Sequence, residues 1–101
     1  MQTSVVLVRY VAQPGKALDA LTAIRDLVAT VLSKESACAG IEILQELDKP
    51  ESITLIERWP DPATFLGPHM QQPHIQAFIQ SAGALLAGPP DISFYSIAAA
   101  A

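Results

Sequence analysis

Two hydrophobic periods alternate along the chain and predict its secondary structure. β-Branched and aromatic residues from Ser4 to Val11 indicate a first strand, which Gln13-Pro14-Gly15 closes as a turn. Between Lys16 and Glu35 the apolar residues recur at steps of three and four, which is typical of an amphipathic helix. The residues of this stripe are Leu18, Leu21, Ile24, Val28, Val31 and Leu32.

The second half of the chain repeats the alternation with a hairpin inserted. Residues 41–47 and 53–59 read as strands, and Asp48 and Pro50 predict that residues 48–52 form the turn between them. A second helical stripe starts near Pro73 and ends at Gly88-Pro89-Pro90, and residues 92–97 form a last strand. The stripe consists of Ile75, Phe78, Ile79, Ala82, Leu85 and Leu86.

The resulting order, β-α-β-β-α-β, predicts an α+β protein of the ferredoxin-like type. Its sheet has four antiparallel strands, and both helices cover one face. A chain of 101 residues has room for one such core, so residues 1–101 are expected to form a single domain.

The other face of this sheet is too apolar for a monomer. Right-handed crossovers place both helices on one side, so the opposite side of a monomer should be polar at alternate positions. In the first strand, however, Val6, Val8 and Tyr10 point one way while Val5 and Leu7 point the other. We therefore expect a homodimer through the helix-free sheet face, with an apolar space under each helix layer for a small apolar or aromatic ligand.

Composition narrows the possible partners and the compartment. The net charge is −4 and the six Lys and Arg residues are scattered, which argues against nucleic acid and anionic membranes. Cys38 is the only cysteine, and the N-terminus lacks a basic segment followed by an apolar run of signal length. No apolar stretch approaches the roughly 20 residues of a membrane span. These features predict a cytoplasmic protein.

The segment 57–74 contains the only tryptophan and both histidines of the chain. His69 and His74 fall in the approach to the second helix and in its first turn, where an imidazole can act as a base. The alternative is that His69 caps the loop and His74 packs at the helix start. No metal site is predicted, because the histidines lack a third ligand at a recognisable spacing.

Three further side chains of the strands are candidates for the same site. Glu57 lies in an apolar strand, where it either orients a histidine or forms a salt bridge with Arg9 or Arg58. Trp59 either stacks on a planar substrate or fills the core. Tyr10 either lines the cavity or fills it.

Other polar positions are less informative. Tyr95, like Tyr10, offers a phenol that lines or fills the cavity. Glu35 ends the first helix, where a negative charge opposes the helix dipole, so its position suggests a specific partner; a solvated helix end is the alternative. Cys38 has no neighbouring base in the sequence and is not proposed as a nucleophile.

One set of residues spans nearly the whole chain: Pro14-Gly15, Glu35, Cys38, Gly40, Pro50, Glu57-Arg58-Trp59, His69, Pro73-His74 and Phe78. This set resembles the antibiotic biosynthesis monooxygenase family. The most specific part of the resemblance is E-x-W followed by two spaced histidines.

The resemblance implies a dimeric α+β barrel and a monooxygenase that works without flavin, metal or haem. A small aromatic, quinol or polyketide-like substrate would lose a proton, and its carbanion would react directly with molecular oxygen. For such a reaction, the side chains discussed above offer His69, His74 and Glu57 as candidate catalytic residues, and Trp59, Tyr10, Tyr95 and Phe78 as candidate substrate-binding residues.

The family is functionally broad, so other functions stay open. A non-catalytic dimeric module that binds a small ligand, or an isomerase of the same fold, would use the same apolar cavity. The haem-degrading branch depends on an asparagine in its first strand. This chain contains no asparagine, which places haem degradation below a cofactor-free reaction.

Overall fold

The computed structural model describes residues 3–101. Its strands are β1 (Ser4–Val11), β2 (Gly40–Glu46), β3 (Lys49–Trp59) and β4 (Asp91–Ser96). Its helices are α1 (Ala17–Lys34), α2 (Pro62–Leu66) and α3 (Pro73–Ser81), with short 3-10 turns at His69–Gln71 and Ala82–Ala84. The strands form one antiparallel sheet in the order β2-β3-β1-β4. The predicted ferredoxin-like fold is confirmed.

The turn between β1 and α1 follows from two adjacent residues. The Lys16 N–H donates to the Gln13 carbonyl at 2.9 Å, and Gly15 at the third position has φ of +76°. Pro14 at the second position and a glycine with positive φ at the third are the requirements of a type II turn. The Pro-Gly pair therefore turns the chain from the sheet into α1.

The hairpin turn is shorter than the sequence suggested. Only Leu47 and Asp48 form it, and residues 49–52, predicted as turn, continue strand β3. Pro50 has no N–H to contribute to a ladder, and it lies where the register between β2 and β3 shifts. The Pro50 carbonyl accepts a hydrogen bond from the Gln45 side chain at 2.8 Å instead. The prediction of a turn over residues 48–52 was wrong because this irregularity accommodates the proline.

The segment between β3 and α3 contains a helix that the hydrophobic pattern did not reveal. The Asp61 carboxylate accepts hydrogen bonds from the Thr64 N–H at 2.7 Å and from the Thr64 hydroxyl at 2.8 Å, and Pro62 occupies the first turn. Capping and a proline at this position favour even a short helix. α2 buries Phe65.

The core lies between the helices and one face of the sheet. The inward side of α1 consists of Ala20, Ile24, Val28 and Val31. The predicted stripe was too wide, since Leu18 is 74% exposed. The largest fully buried side chains are Trp59, Ile24, Ile53, Val6 and Val31.

The helix-free face has an apolar centre between charged residues. Every second residue of each strand points to this face. The large apolar side chains that do so are half-buried or exposed; they are Val5, Leu7, Val11, Leu44, Ile56 and Tyr95. Charges of both signs share this face: Arg9, Arg58, Glu42 and Asp91. Within residues 3–101, no helix has the length and apolar character needed to cross a membrane.

Candidate active site

A cavity of about 540 Å³ lies between the sheet and the helices α1 and α3. Its walls are mostly apolar and include Val8, Val28, Val31, Leu55, Ile75 and Leu86. Among the described residues that line it, polar side chains come only from Tyr10, Glu57 and His69. Such a space suits a small, largely apolar ligand that a few polar groups orient.

His69 is held in the cavity wall by aromatic rings and by a carboxylate. It begins the 3-10 turn that follows Pro68, and its ring centroid lies 4.5 Å from that of Trp59 and 4.8 Å from that of Phe65. Its Nδ1 lies 2.9 Å and 3.0 Å from the two carboxylate oxygens of Glu35. Two aromatic contacts and the contacts with Glu35 therefore hold the ring in place.

Glu35 is the residue that joins the two histidines. Its Oε2 also lies 2.7 Å from Nε2 of His74, in the first turn of α3. Glu35 itself caps the end of α1, where its N–H donates to the Val31 carbonyl at 2.8 Å. The buried carboxylate thus connects the end of α1 with the start of α3, and it satisfies the requirement that a buried charge be paired.

The hydrogen bond to Glu35 determines which nitrogen of His69 can act as a base. Burial lowers the pKa of His69, although the Glu35 carboxylate opposes this effect. The neutral ring donates its Nδ1–H to Glu35, which leaves the lone pair on Nε2. Within residues 3–101 every fully buried side-chain nitrogen or oxygen has a hydrogen-bond partner. Nε2 of His69 has no hydrogen-bond partner among these residues, so this atom is not fully buried. Nε2 therefore reaches accessible space, and since His69 lines the cavity, we assign its lone pair to the cavity.

Glu57 contributes an acidic group to the same cavity. Its Oε1 accepts the Trp59 indole N–H at 2.9 Å. Burial raises the pKa of Glu57 from 4.5 to about 7; the charge of Glu35 adds to the rise and the bond from Trp59 opposes it. Both alternatives predicted for Glu57 were wrong. The histidines bind Glu35 instead, and the side chains of Arg9 and Arg58 belong to the opposite face of the sheet.

Tyr10 supplies a neutral phenol. Burial, together with the charge of Glu57, raises the pKa of Tyr10. Its ring meets Phe78 edge to face at a centroid distance of 5.9 Å. Tyr10 can therefore donate a hydrogen bond to an oxyanion in the cavity.

The structure separates the predicted site residues into two groups. His69, Glu57, Tyr10 and Phe78 line the cavity. Trp59 does not line the cavity. It is 1% exposed and its indole N–H donates to Glu57, so it packs behind the cavity wall and holds Glu57 in place. His74 touches Glu35 and lies outside the lining.

Tyr95 differs most from its prediction. It pairs with Val5 on the helix-free face, is 48% exposed and does not line the cavity. Successive side chains of a strand point to opposite faces of the sheet, so Tyr95 points away from the cavity while its neighbour Phe94 points toward the helices.

The cluster also lies deeper than a cavity entrance. Ile79 and Ile92 combine exposure with a place in the lining and mark the open side between α3 and β4. His69 and Trp59, by contrast, are buried. Within segment 57–74, His69 therefore forms part of the inner wall and Trp59 part of the layer behind it.

Residues 3–81 match the family model described as antibiotic biosynthesis monooxygenase. The chain belongs to this family. No curated protein matches its sequence.

Solved structures place this family member among proteins of the same fold. A protein from Pseudomonas aeruginosa has a TM-score of 0.85 at 25% identity, over 98% of this chain and 97% of its own. A conserved protein from Methanosarcina mazei has a TM-score of 0.80 at 25% identity, over 94% and 92%. A candidate antibiotic biosynthesis monooxygenase from Caulobacter crescentus has a TM-score of 0.84 at 20% identity, over 97% and 92%. This last likeness shows the fold.

Glu35 is the member of the site that sequence reasoning did not include. The signal was present, because a carboxylate at the end of a helix opposes the helix dipole and requires a partner. That both histidines are its partners, at sequence separations of 34 and 39, is a tertiary fact.

Within the described part of the chain, neither Cys38 nor a metal-binding cluster adds chemistry to the site. Burial raises the pKa of the Cys38 thiol, whose Sγ lies 3.6 Å from the Gly40 carbonyl, so this side chain behaves as a small buried thiol. Across residues 3–101, no group of three His, Cys, Asp or Glu residues is arranged to hold a metal ion.

Replacing Glu57 with glutamine should stabilise the protein increasingly as the pH rises. The pKa of Glu57 is raised in the folded state, so between pH 4.5 and about 7 the unfolded chain ionises this group before the folded protein does. Stability that the protonated carboxyl retains at low pH is therefore lost as the pH rises through 7. We expect Glu57→Gln to match the wild type near pH 4.5 and to exceed it by roughly 3 kcal/mol at pH 8.

Urea unfolding at several pH values measures this difference. Glu42→Gln is the matched control, because Glu42 is exposed on the neighbouring strand β2. A gain in Glu57→Gln that is the same at pH 4.5 and pH 8 would contradict the placement of Glu57 as a buried carboxyl.

Proposed function

We propose that this chain is a monooxygenase that oxidises a small, uncharged aromatic or quinol substrate in the cavity without a cofactor, with His69 as the base. The family assignment supports a monooxygenase or a related protein acting on small molecules. The observation that carries the proposal is the lone pair of His69 assigned to a mostly apolar cavity that also contains Glu57 and Tyr10.

The arrangement suits the first step of such a reaction. His69 Nε2 takes a proton from the substrate, and the phenol of Tyr10 stabilises the resulting anion. Glu57, when it holds its proton, adds a second donor. The apolar walls exclude water, which strengthens these interactions.

The remaining step requires only the substrate anion and molecular oxygen. In its keto tautomer the phenol or quinol carries a CH₂ group beside or conjugated to the carbonyl; this CH₂ becomes a carbonyl, with one oxygen atom entering the product and the other leaving as water. The substrate supplies all the electrons and both hydrogens of that water, so the equation balances without an external reductant.

The cavity also favours neutral substrates. Among the described residues that line it there is no Lys or Arg, and the ionisable groups are Glu57, His69 and Tyr10. A carboxylate or phosphate in this space would lie beside the acidic Glu57 with no cationic partner, which is costly in an apolar environment.

The alternative is a dimeric binding module without catalysis. The observation in its favour is that Glu35 joins α1 to α3 through both histidines, which has structural value in itself. On this alternative His69→Ala leaves ligand binding unchanged, and no variant changes a rate.

Oxygen consumption by the purified protein with a panel of naphthols and naphthohydroquinones tests the proposed activity. We expect turnover without added flavin, metal or haem. His69→Gln should lower the rate about 100-fold or more, because general base catalysis contributes that much. Tyr10→Phe should lower the rate about tenfold through the loss of one donor to the anion.

Tyr95→Phe is the matched control for Tyr10→Phe and should retain the wild-type rate, because Tyr95 lies on the opposite face of the sheet. Absence of turnover with every member of the panel, together with unchanged ligand binding in His69→Ala, would favour the binding module.

We further propose that the protein is a homodimer that packs through the helix-free face. The apolar centre of this face is larger than the isolated apolar residues that monomers normally expose. Its charges are of both signs, Arg9 and Arg58 with Glu42 and Asp91, so a copy related by a two-fold axis can match them.

Sedimentation velocity at micromolar concentration tests this interface. Leu7→Arg places a charge in the centre of the face and should convert the dimer to a monomer. Leu32→Arg makes the same change at an exposed leucine on α1 and should leave the dimer intact. A wild-type protein that sediments as a monomer would contradict the proposal.

A further inference from the structure

The two histidines share one negative charge. Glu35 Oε2 lies 3.0 Å from Nδ1 of His69 and 2.7 Å from Nε2 of His74, and Oε1 lies 2.9 Å from His69. The two imidazoles therefore contact a single buried carboxylate and share its Oε2. This carboxylate can neutralise one imidazolium fully, and a second one would remain uncompensated.

The rings differ in their access to water. The side chain of His69 is 6% exposed and that of His74 is 12% exposed. His69 lines the cavity, whereas His74 lies in the first turn of α3 and is absent from the lining. A positive charge costs less on the more exposed of the two rings, that of His74.

We infer that His74 competes with His69 for Glu35, and that a proton on His74 keeps His69 neutral and available as the base of the cavity. His74 is then a positioning residue, which acts on the substrate only through Glu35 and His69. Its effect on the reaction rests on the proposed function, but the competition rests only on the contacts of the three side chains.

The surroundings of His69 leave this competition as its main electrostatic control. α1 contributes Glu35, α3 contributes His74, and β3 contributes Glu57, which also senses the charge of Glu35. The aromatic side chains of Trp59 and Phe65, which carry no charge, also lie against the ring. Glu35 favours a proton on His69, whereas a charged His74 opposes it.

The consequence for the cavity is a base that stays neutral over a wider pH range. Without a charge on His74, the whole field of Glu35 acts on His69 and favours its protonated form. Protonated at Nε2, His69 has no lone pair to take a proton from a substrate. Two histidines on one glutamate thus perform different tasks.

Titration of the full-length protein by ¹⁵N NMR, with labelled histidine and no substrate, tests the inference. His74→Gln keeps a side-chain donor for Glu35 but cannot carry a charge, and the His69 midpoint should rise by about one pH unit. His74→Lys carries a permanent positive charge, and the His69 midpoint should not rise. Gln80→Lys adds the same charge at an exposed position of α3 and should leave the midpoint unchanged.

The different responses of the two His74 variants, a rise in one and no rise in the other, separate competition from a structural role. A role confined to holding α3 in place would give shifts of the same sign in both variants, or no shift, and either result would overturn the inference. If neither variant folds, the wild-type titration decides: the His69 midpoint should lie below that of a free imidazole, and a midpoint above it would overturn the inference. Because no substrate is needed, a failed oxygen assay does not affect this test.

Discussion

Burial of the Glu35 carboxylate is the constraint on which the rest of the site depends. A carboxylate removed from water needs partners, and within residues 3–101 the side-chain partners of Glu35 are the two histidines. Because Glu35 ends α1 while His69 and His74 precede and begin α3, satisfying this one charge brings the two helices together. The same bond orients the His69 ring and leaves its Nε2 lone pair for the cavity. The contacts of Glu35 therefore both join α1 to α3 and prepare His69 for the proposed role as a base.

A second carboxyl group, that of Glu57, makes the cavity chemically asymmetric. Within residues 3–101 the Glu57 carboxyl has one side-chain hydrogen bond, from the Trp59 indole, and its pKa is raised to about 7. Glu35 has two histidine partners, which compensate its charge. Two glutamates in one buried cluster thus differ through their partners: one organises the base, and the other can hold a proton beside the ligand.

The sequence was sufficient for the fold and for the cavity residues His69, Glu57, Tyr10 and Phe78, but it did not place Glu35 in the site or show which side chains meet there. The hydrophobic period and the turn residues predicted β1 with the bounds that the structure shows, and they predicted α1 to within one residue at each end. They missed α2, because five residues are too few to show a helical stripe and its evidence is the capping by Asp61. The pairing of the histidines was equally out of reach. Glu57 is nearer to them in sequence than Glu35, and only the packing of α1 against α3 decides which carboxylate they meet.

We infer that Glu35 fixes His69 as a neutral ring with its proton on Nδ1 and its lone pair toward the cavity. The ¹⁵N chemical shifts of the two His69 nitrogens at pH 8 report this tautomer directly. We predict a protonated Nδ1 and a bare Nε2 in the wild type, with loss of this preference in Glu35→Ala. A His69 ring that carries its proton on Nε2, or that averages between both tautomers like a free imidazole, would contradict the account.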